Sequence, residues 1–254
     1  MTLWTDLARA STEAGDDILL RRRGEIYEIT FNGIELMSNL MWRSEAVLAQ
    51  RTLRPLAWAP RPRILIGGLG MGFTLRAALD LLGPDARITV CELIPAIAAW
   101  NRGILAPLAG HALQDPRVDL QVTDVMDLFA PGAPRFDAIL MDTDNGPDLL
   151  VRQDNGQLYA ESGLNAVRRA LRPGGIAAFW SAKISDPFEA RLDEQGWDWR
   201  REDVLLPGGR ADAFHYIYIA TPAETAALED LPAAPAPGLP PRRGPQPGAG
   251  LAAL

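Results

Sequence analysis

Alternating apolar and polar positions predict a small β-structure near the start of the chain. Residues 25–31 alternate as a half-buried strand does. Asn32 and Gly33 follow, the dipeptide that most strongly favours a two-residue hairpin turn. Residues 34–37 provide the returning strand. The pattern therefore predicts a small N-terminal β-hairpin.

Helical spacing of apolar residues predicts a helix on either side of this hairpin. Residues 1–20 have an amphipathic helical pattern, and residues 44–53 form a second one that ends before Pro55. We therefore interpret residues 1–55 as a unit made of an N-terminal helix, the hairpin and a linking helix.

From residue 63 onward, short apolar runs alternate with helical patterns. The predicted strands cover residues 64–66, 87–91, 118–122, 136–141, 176–180, 199–205 and 214–219, and the predicted helices 73–82, 96–102 and 158–171. Alternation of this kind is typical of an α/β fold with a doubly wound, Rossmann-like, seven-stranded sheet. The sequence predicts such a domain over residues 56–220.

Composition separates a globular body from a tail. Of 254 residues, 48% are hydrophobic and 22% charged, which allows a sizeable core in one α/β domain. After residue 220 the chain is rich in Pro, Ala and Gly and cannot bury enough apolar surface to order itself. We predict that residues 221–254 are a disordered tail without chemistry.

Charge and residue counts exclude several classes of protein. The net charge of -7 argues against a nucleic-acid partner, which calls for a basic face. The chain has one cysteine, Cys91, which lies in an apolar run, and this favours a buried and inert thiol. Because the chain also has only two histidines, we expect no metal site. No leader pattern and no apolar run of about 18 residues is present, so we expect a cytoplasmic protein without membrane contact.

A glycine-rich loop between the first strand of the α/β domain and its helix is the strongest chemical signal. It contains Gly67, Gly68, Gly70 and Gly72. Glycines let a backbone turn tightly and approach a ligand, and the following helix offers free N–H groups. The spacing differs from the G-x-G-x-x-G of dinucleotide-binding folds, which disfavours an oxidoreductase.

Two acidic positions after the next strands strengthen the interpretation of the glycine loop. Glu92 ends the second strand, where a carboxylate can accept both hydroxyls of a ribose. Asp124, followed by Val125, comes directly after the third strand, where it can take an adenine amine. Together with the glycine loop, these residues resemble the cofactor site of the class I S-adenosylmethionine-dependent fold.

A third acidic segment, residues 142–148, follows the fourth strand of the domain. Asp142 and Asp144 are candidate catalytic residues, and Asn145 a candidate substrate contact, because carboxylates at this edge suit an amine-bearing substrate or a sulfonium. Asp, Asn, Gly and Pro also form ordinary turns, so turn chemistry is the alternative. Asp142 is the best single candidate.

Several other side chains are weaker candidates. Glu45 could face the substrate or simply stabilise a helix N-terminus, and Tyr159 could close the site or pack in the core. Trp180 and Ser181 could line the pocket. His215 lies within a late strand, where a structural role is favoured.

Over residues 18–220, the order of these motifs resembles the spermidine synthases. That family carries an aminopropyl group from decarboxylated S-adenosylmethionine to putrescine, and an aspartate after the fourth strand orients the amine. The resemblance implies the same role for Asp142. Two departures stand out: Gly70 occupies the position of the family's loop aspartate, and Asp144 and Asn145 stand within a segment that replaces its Asp-Ser-Ser-Asp-Pro.

We therefore expect an S-adenosylmethionine-dependent transferase with no metal. Gly70 removes the usual carboxylate that grips a decarboxylated donor, so we favour methyl transfer from S-adenosylmethionine. Aminopropyl transfer is the first alternative, and a non-catalytic nucleoside-binding protein the second. As partner we expect a small-molecule amine or another nucleophile, with a homodimer left open.

Overall fold

The structure is a computed structural model that describes residues 3–12, 14–150, 152, 155–206 and 213–223. This part of the chain forms a four-stranded antiparallel sheet followed by a seven-stranded sheet. The predicted tail lies outside the described residues from residue 224 onward.

The N-terminal sheet has the strand order β1-β2-β3-β4. Its strands are β1 (Thr5–Ser11), β2 (Asp17–Arg23), β3 (Ile26–Phe31) and β4 (Ile34–Ser38). Strands β3 and β4 form the predicted hairpin, in which Asn32 and Gly33 have φ of 50° and 78°, as a type I′ turn requires.

The helix predicted over residues 1–20 is wrong, and the N-terminal β-structure is a four-stranded sheet instead of a lone hairpin. Gly15 has φ of 90°, and Thr12 donates a hydrogen bond to Asp16 at 2.7 Å, so the chain turns back on itself there. Leu7 and Ala8 on β1 pack against the core beneath this sheet. A few apolar residues in a short stretch fit either period, and pairing of β1 with β2 decides between them.

The seven-stranded sheet has the order β10-β11-β9-β8-β5-β6-β7, with β5 to β9 parallel and the last two strands antiparallel. Its strands are β5 (Arg63–Gly67), β6 (Arg87–Glu92), β7 (Val118–Val122), β8 (Phe136–Met141), β9 (Leu171–Ser181), β10 (Trp197–Leu205) and β11 (Phe214–Pro222). The predicted α/β fold is confirmed. Strand β11 continues past the predicted domain boundary at residue 220.

Helices cover both faces of this sheet. They are α1 (Arg43–Leu53), α2 (Phe73–Leu81), α3 (Pro95–Arg102), α4 (Gly156–Tyr159), α5 (Glu161–Ala170) and α6 (Asp186–Glu194). The helix predicted over residues 158–171 breaks at Ala160, whose backbone is extended. A Cβ at Gly163 would meet the backbone oxygen of Leu158 at 2.4 Å, so α4 and α5 touch backbone to backbone there. Helix α6 was not predicted.

The central strand β5 shows why the sheet lies between two cores. Ile64 and Ile66 belong to the cluster that includes Leu48 of α1, whereas Leu65 belongs to the cluster that includes Leu164 of α5. All three β5 side chains are at most 1% exposed. Burial on both faces is what a parallel strand with an uninterrupted apolar run requires. Among the described residues, no helix is long and apolar enough to span a membrane.

The N-terminal sheet packs on α3 and on the segment after β5. Ile29 and Phe31 of β3 share a buried cluster with Ile97 and Trp100 of α3 and with Met71. This contact holds the small sheet against the carboxyl edge of the large one, which is where the candidate site lies.

Candidate active site

A cavity opens where β5, β6 and β8 end. It encloses about 930 Å³ of empty space, part of which is open solvent. The strand order reverses between β5 and β8, and open α/β sheets bind ligands at the carboxyl edge beside such a reversal.

The walls of the cavity are apolar on the side of the N-terminal sheet and acidic elsewhere. Phe31, Leu36 and Met37 of that sheet line it. Five carboxylates also line it: Glu45, Glu92, Asp124, Asp142 and Asp144. Arg152 is the one basic side chain among the described lining residues. The cavity therefore suits a cationic ligand with an apolar part.

The predicted glycine loop lies between β5 and α2. Gly68, Gly70 and Gly72 have φ of 90°, 52° and 84°, a region that favours glycine. A Cβ at Gly68 would lie 2.0 Å from the backbone oxygen of Asp142, so only glycine permits the two loops to touch. Gly68 and Gly70 line the cavity, whereas Gly67 and Gly72 shape the loop from outside the lining.

Glu92, at the end of β6, is a buried carboxylate fixed by backbone donors. Its Oε2 accepts from the N–H of Leu69 at 3.0 Å, and its Oε1 from the N–H of Ile94 at 2.8 Å. Burial raises the pKa of Glu92, and these backbone hydrogen bonds oppose the rise. Glu92 lines the cavity, where it can face a ligand. Its role as the ribose acceptor stays a prediction.

Asp124 follows β7 and caps a 3-10 turn. Its Oδ1 accepts from the N–H of Met126 at 2.9 Å, and both Asp124 and Val125 line the cavity. Cys91 also lines it, but burial raises the pKa of the Cys91 thiol to about 12, with the charges of Glu92 and Asp124 adding to the rise. The thiol is therefore protonated and inert, as the sequence predicts.

Asp142, the best catalytic candidate, is held between two elements. Its backbone N–H donates to Gly67 at 2.8 Å, and its Oδ2 accepts from the Thr74 hydroxyl of α2 at 2.6 Å. Burial raises the pKa of Asp142, and the bond from Thr74 opposes the rise. Among the described contacts, Oδ1 has no protein donor and is open to a ligand.

Glu45 on α1 lies beside Asp142 in the cavity. Burial raises the pKa of Glu45, and the nearby charge of Asp142 raises it further. Of the two interpretations of Glu45, a cavity-facing acid therefore describes its position better than a helix-capping one. The buried Glu45 and the half-buried Asp142 lie side by side, an arrangement that suits a cation.

Asp144 and Asn145 occupy the loop after β8, and both line the cavity. Asp144 is 6% exposed, and its two oxygens accept from the N–H of Asn145, the N–H of Arg152 and the side-chain amide of Asn155 at 2.7, 3.2 and 2.8 Å. These bonds give Asp144 a clear part in shaping the loop. Its predicted catalytic role stays a prediction.

Tyr159 is not among the residues that line the cavity, and of its two interpretations core packing describes its position. Its ring packs in the core against Phe179 and Phe188, with centroids 6.4 and 5.6 Å away. The break after α4 turns the ring toward these aromatic side chains. Trp180 lines the cavity, whereas the Ser181 hydroxyl is bonded to the Lys183 carbonyl at 2.6 Å.

Sequence reasoning missed three side chains around the acidic pair. Thr74 holds Asp142, the Ser44 hydroxyl contacts Glu45 at 2.6 Å, and His215 contacts Ser44 at 2.8 Å. Ser44 and His215 are 171 positions apart. Only the packing of α1 against β11 brings them together, so no local pattern could have found them.

The glycine loop, a buried acid at the end of the next strand and a second acid one strand further define the class of this domain. This arrangement resembles the nucleoside site of the class I S-adenosylmethionine-dependent fold. No protein-family model matches the chain.

Solved structures narrow the fold to that of the spermidine synthases. The enzyme from Thermotoga maritima gives a TM-score of 0.68 at 16% identity, and a spermidine synthase in complex with the transition-state analogue AdoDATO gives 0.66 at 17%. Each comparison covers 85% of this chain and 72% of the other.

Curated relatives carry the same resemblance in sequence. The chain is 32% identical over 164 residues to a polyamine aminopropyltransferase of Corynebacterium efficiens, covering 63% of this chain and 30% of that protein. It is 32% identical over 160 residues to polyamine aminopropyltransferase 1 of Pseudomonas aeruginosa, covering 60% of this chain and 53% of that protein. It is 25% identical over 234 residues to the polyamine aminopropyltransferase of Mycobacterium tuberculosis, covering 89% of this chain and 42% of that protein. The chain thus spans about a third to a half of these relatives. The predicted resemblance to spermidine synthases is confirmed.

Gly68→Ala tests the contact between the glycine loop and Asp142. We expect it to lower the free energy of unfolding by about 1–3 kcal/mol more than Gly132→Ala. Gly132 has φ of 85° and open space around a Cβ, so its variant carries only the backbone penalty of about 1–2 kcal/mol. Urea unfolding of both variants measures the difference. Equal losses would mean that the two loops separate without cost.

Glu92→Gln tests the predicted ribose contact. It keeps one oxygen for the backbone donors but removes the charge, so methylthioadenosine should bind about ten- to hundredfold more weakly. Titration calorimetry measures the dissociation constant, and Glu25→Gln serves as control because its side chain is 93% exposed. Equal affinity in the Glu92 variant and the wild type would place the ribose elsewhere.

Proposed function

We propose that the protein transfers an aminopropyl group from decarboxylated S-adenosylmethionine to a small-molecule amine. The observation that carries this proposal is the pair of carboxylates formed by the buried Glu45 and the half-buried Asp142, in a cavity with a nucleoside-type glycine loop. A polyamine-type amine is a cation that such a pair attracts. The polyamine aminopropyltransferases among the curated relatives support the same reaction.

The preference for methyl transfer is not supported. It depended on Gly70, which lacks the carboxylate expected to grip the donor's ammonium group. A Cβ at Gly70 would lie 2.5 Å from the Met37 sulfur, so the space for a side chain at this position is already filled. Other carboxylates line the same cavity and can take over that role.

Electrostatics favours the decarboxylated donor. It carries a sulfonium and an ammonium, whereas the intact donor adds a carboxylate that lowers its net charge by one. Five acidic side chains line the cavity, so the dication gains attraction and the carboxylate of the intact donor meets repulsion. The glycine loop alone does not show the combined negative charge of the acidic residues around the cavity.

Catalysis in this proposal is mainly positioning. The acceptor enters as an ammonium and gives one proton to the free oxygen of Asp142, while Thr74 fixes the other oxygen. The neutral nitrogen then attacks the carbon bonded to the sulfonium sulfur. A C–N bond forms, the C–S bond breaks, and its electron pair leaves with the sulfur as a neutral thioether. The product nitrogen stays protonated, and the proton on Asp142 passes to solvent.

Burial tunes Asp142 for this task. A carboxylate of ordinary acidity is a weak base toward an ammonium, and the raised pKa of Asp142 brings the two closer together. Glu45 supplies a second negative charge that holds the substrate cation in place. In this scheme Glu92 takes the ribose hydroxyls, Asp124 the adenine amine and the apolar wall the adenine ring.

The choice of donor can be measured directly. Calorimetric titration should show that the decarboxylated donor binds at least about fivefold more tightly than intact S-adenosylmethionine, since one charge–charge interaction is worth about 1 kcal/mol or more here. Incubation with putrescine should then give an aminopropylated product by mass spectrometry. Tighter binding of intact S-adenosylmethionine, together with a methylated product, would instead support methyl transfer.

Asp142→Asn tests the proton acceptor. It keeps the shape and the bond to Thr74 but removes basicity, so kcat should fall about 10²–10⁴-fold while the affinity for methylthioadenosine changes little. Asp148→Asn is the matched control, because Asp148 lies in the same loop and is exposed. A kcat near that of the wild type would reduce Asp142 to a turn residue.

A further inference from the structure

A chain of hydrogen bonds leads from β11 into the acidic pair. The Nδ1 atom of His215 lies 2.8 Å from the hydroxyl oxygen of Ser44, and that hydroxyl lies 2.6 Å from Oε2 of Glu45. Ser44 is fully buried, and the His215 ring packs edge-on against Trp180 with centroids 4.6 Å apart. The three polar side chains therefore occupy one packed position between α1, β9 and β11.

Proton bookkeeping gives this chain a direction. A serine hydroxyl has one proton to donate, and an ionised carboxylate can only accept. When Glu45 is ionised, Ser44 therefore donates to Glu45, and His215 donates its Nδ1 proton to Ser44. Burial lowers the pKa of His215 to about 4, so at neutral pH its ring is uncharged and has one N–H, which this bond assigns to Nδ1.

We propose that His215, acting through Ser44, is a positioning residue that holds the Glu45 carboxylate in the cavity, oriented and charged, for the substrate's ammonium group. This inference rests on the proposed function only for the identity of that ammonium group. The hydrogen-bonded chain itself is independent of which reaction the cavity performs.

The surroundings explain why Glu45 needs such support. Of the groups that face it, Asp142 after β8 is a like charge, and His215 on β11 is uncharged at neutral pH. Helix α2 and strand β9 bring Thr74 and Trp180 to this region, neither of which carries a charge. Burial and Asp142 both favour the protonated form of Glu45, and the bond from Ser44 favours the ionised form.

Removing the hydrogen bonds that link His215, Ser44 and Glu45 should therefore make Glu45 harder to ionise. The hydrogen bond acts on a charged group, so its loss in Ser44→Ala or His215→Phe should raise the titration midpoint of Glu45 by about one to two pH units. His215→Phe keeps a ring against Trp180 but lacks the donor. His215→Asn offers an amide N–H near the position of Nδ1 and should restore most of the wild-type midpoint.

The experiment follows the side-chain carboxyl carbon of Glu45 by NMR in full-length protein labelled at glutamate, with the signal assigned by its loss in Glu45→Gln. In parallel, the acceptor KM is measured between about pH 6 and 9, below the range where an alkyl ammonium loses its proton. In Ser44→Ala and His215→Phe, KM should rise about tenfold or more near neutral pH and approach the wild-type value as the pH rises. The kcat should change less.

Controls separate this role from a merely structural one. His111→Asn changes the other histidine, which is exposed and lies in a separate turn, and should leave both midpoint and KM unchanged. An unchanged Glu45 midpoint in folded Ser44→Ala and His215→Phe would overturn the proposal, as would a KM loss that does not depend on pH. If Ser44→Ala unfolds, the pair His215→Phe and His215→Asn still decides the question.

The two proposals fail in different ways. If the wild type produces no aminopropylated amine but the Glu45 midpoint shifts as described, the reaction is wrong and the positioning role stands. If turnover is found and the midpoint does not move, the reaction stands and His215 is a packing residue.

Discussion

The contact between the glycine loop and the loop after β8 is the constraint on which the site depends. Gly68 approaches the Asp142 carbonyl so closely that no side chain fits between them. This approach brings the end of β5 and the end of β8 together at the reversal of strand order, and it leaves Asp142 within reach of Thr74. Asp142 has its place in the cavity because two backbones touch, and only a residue without a Cβ allows that.

Holding several carboxylates in one cavity works against the stability of the fold. Glu45, Glu92 and Asp142 all have raised pKa values because burial disfavours their charged forms. Hydrogen bonds from Ser44, Thr74 and backbone N–H groups offset part of this. A bound cation can offset the rest of the desolvation cost, because its charge replaces the lost solvation of the carboxylates. Binding strength and local instability thus come from the same arrangement.

The sequence predicted the parts of the molecule that local patterns determine. Uninterrupted apolar runs located β5 and β8, and the Asn32-Gly33 turn located the hairpin. The helix over residues 1–20 failed because a short apolar pattern fits two periods and pairing with β2 decides between them. Glycine spacing and strand ends likewise identified Glu92 and Asp142 as cavity residues.

The rest of the site depends on contacts between distant parts of the chain. Glu45 could not be placed before α1 was known to pack across the end of β8, and the bond between Ser44 and His215 joins residues 171 positions apart. The two interpretations of Tyr159 could not be separated from the apolar pattern, which shows neither the break at Ala160 nor the packing of the ring against Phe188. Gly70 was read alone, although Met37 fills the space beside it.

The apolar wall that β3 and β4 contribute to the cavity has a thermodynamic consequence. A ligand in this cavity touches both sheets, so its binding energy also strengthens the packing of the small sheet on α3. By linkage, a bound ligand shifts the equilibrium between the packed and the detached small sheet toward the packed form. The amide protons of β3 and β4 then exchange more slowly with solvent by the same factor. The strength with which the N-terminal sheet packs on α3 therefore depends on whether a ligand fills the cavity.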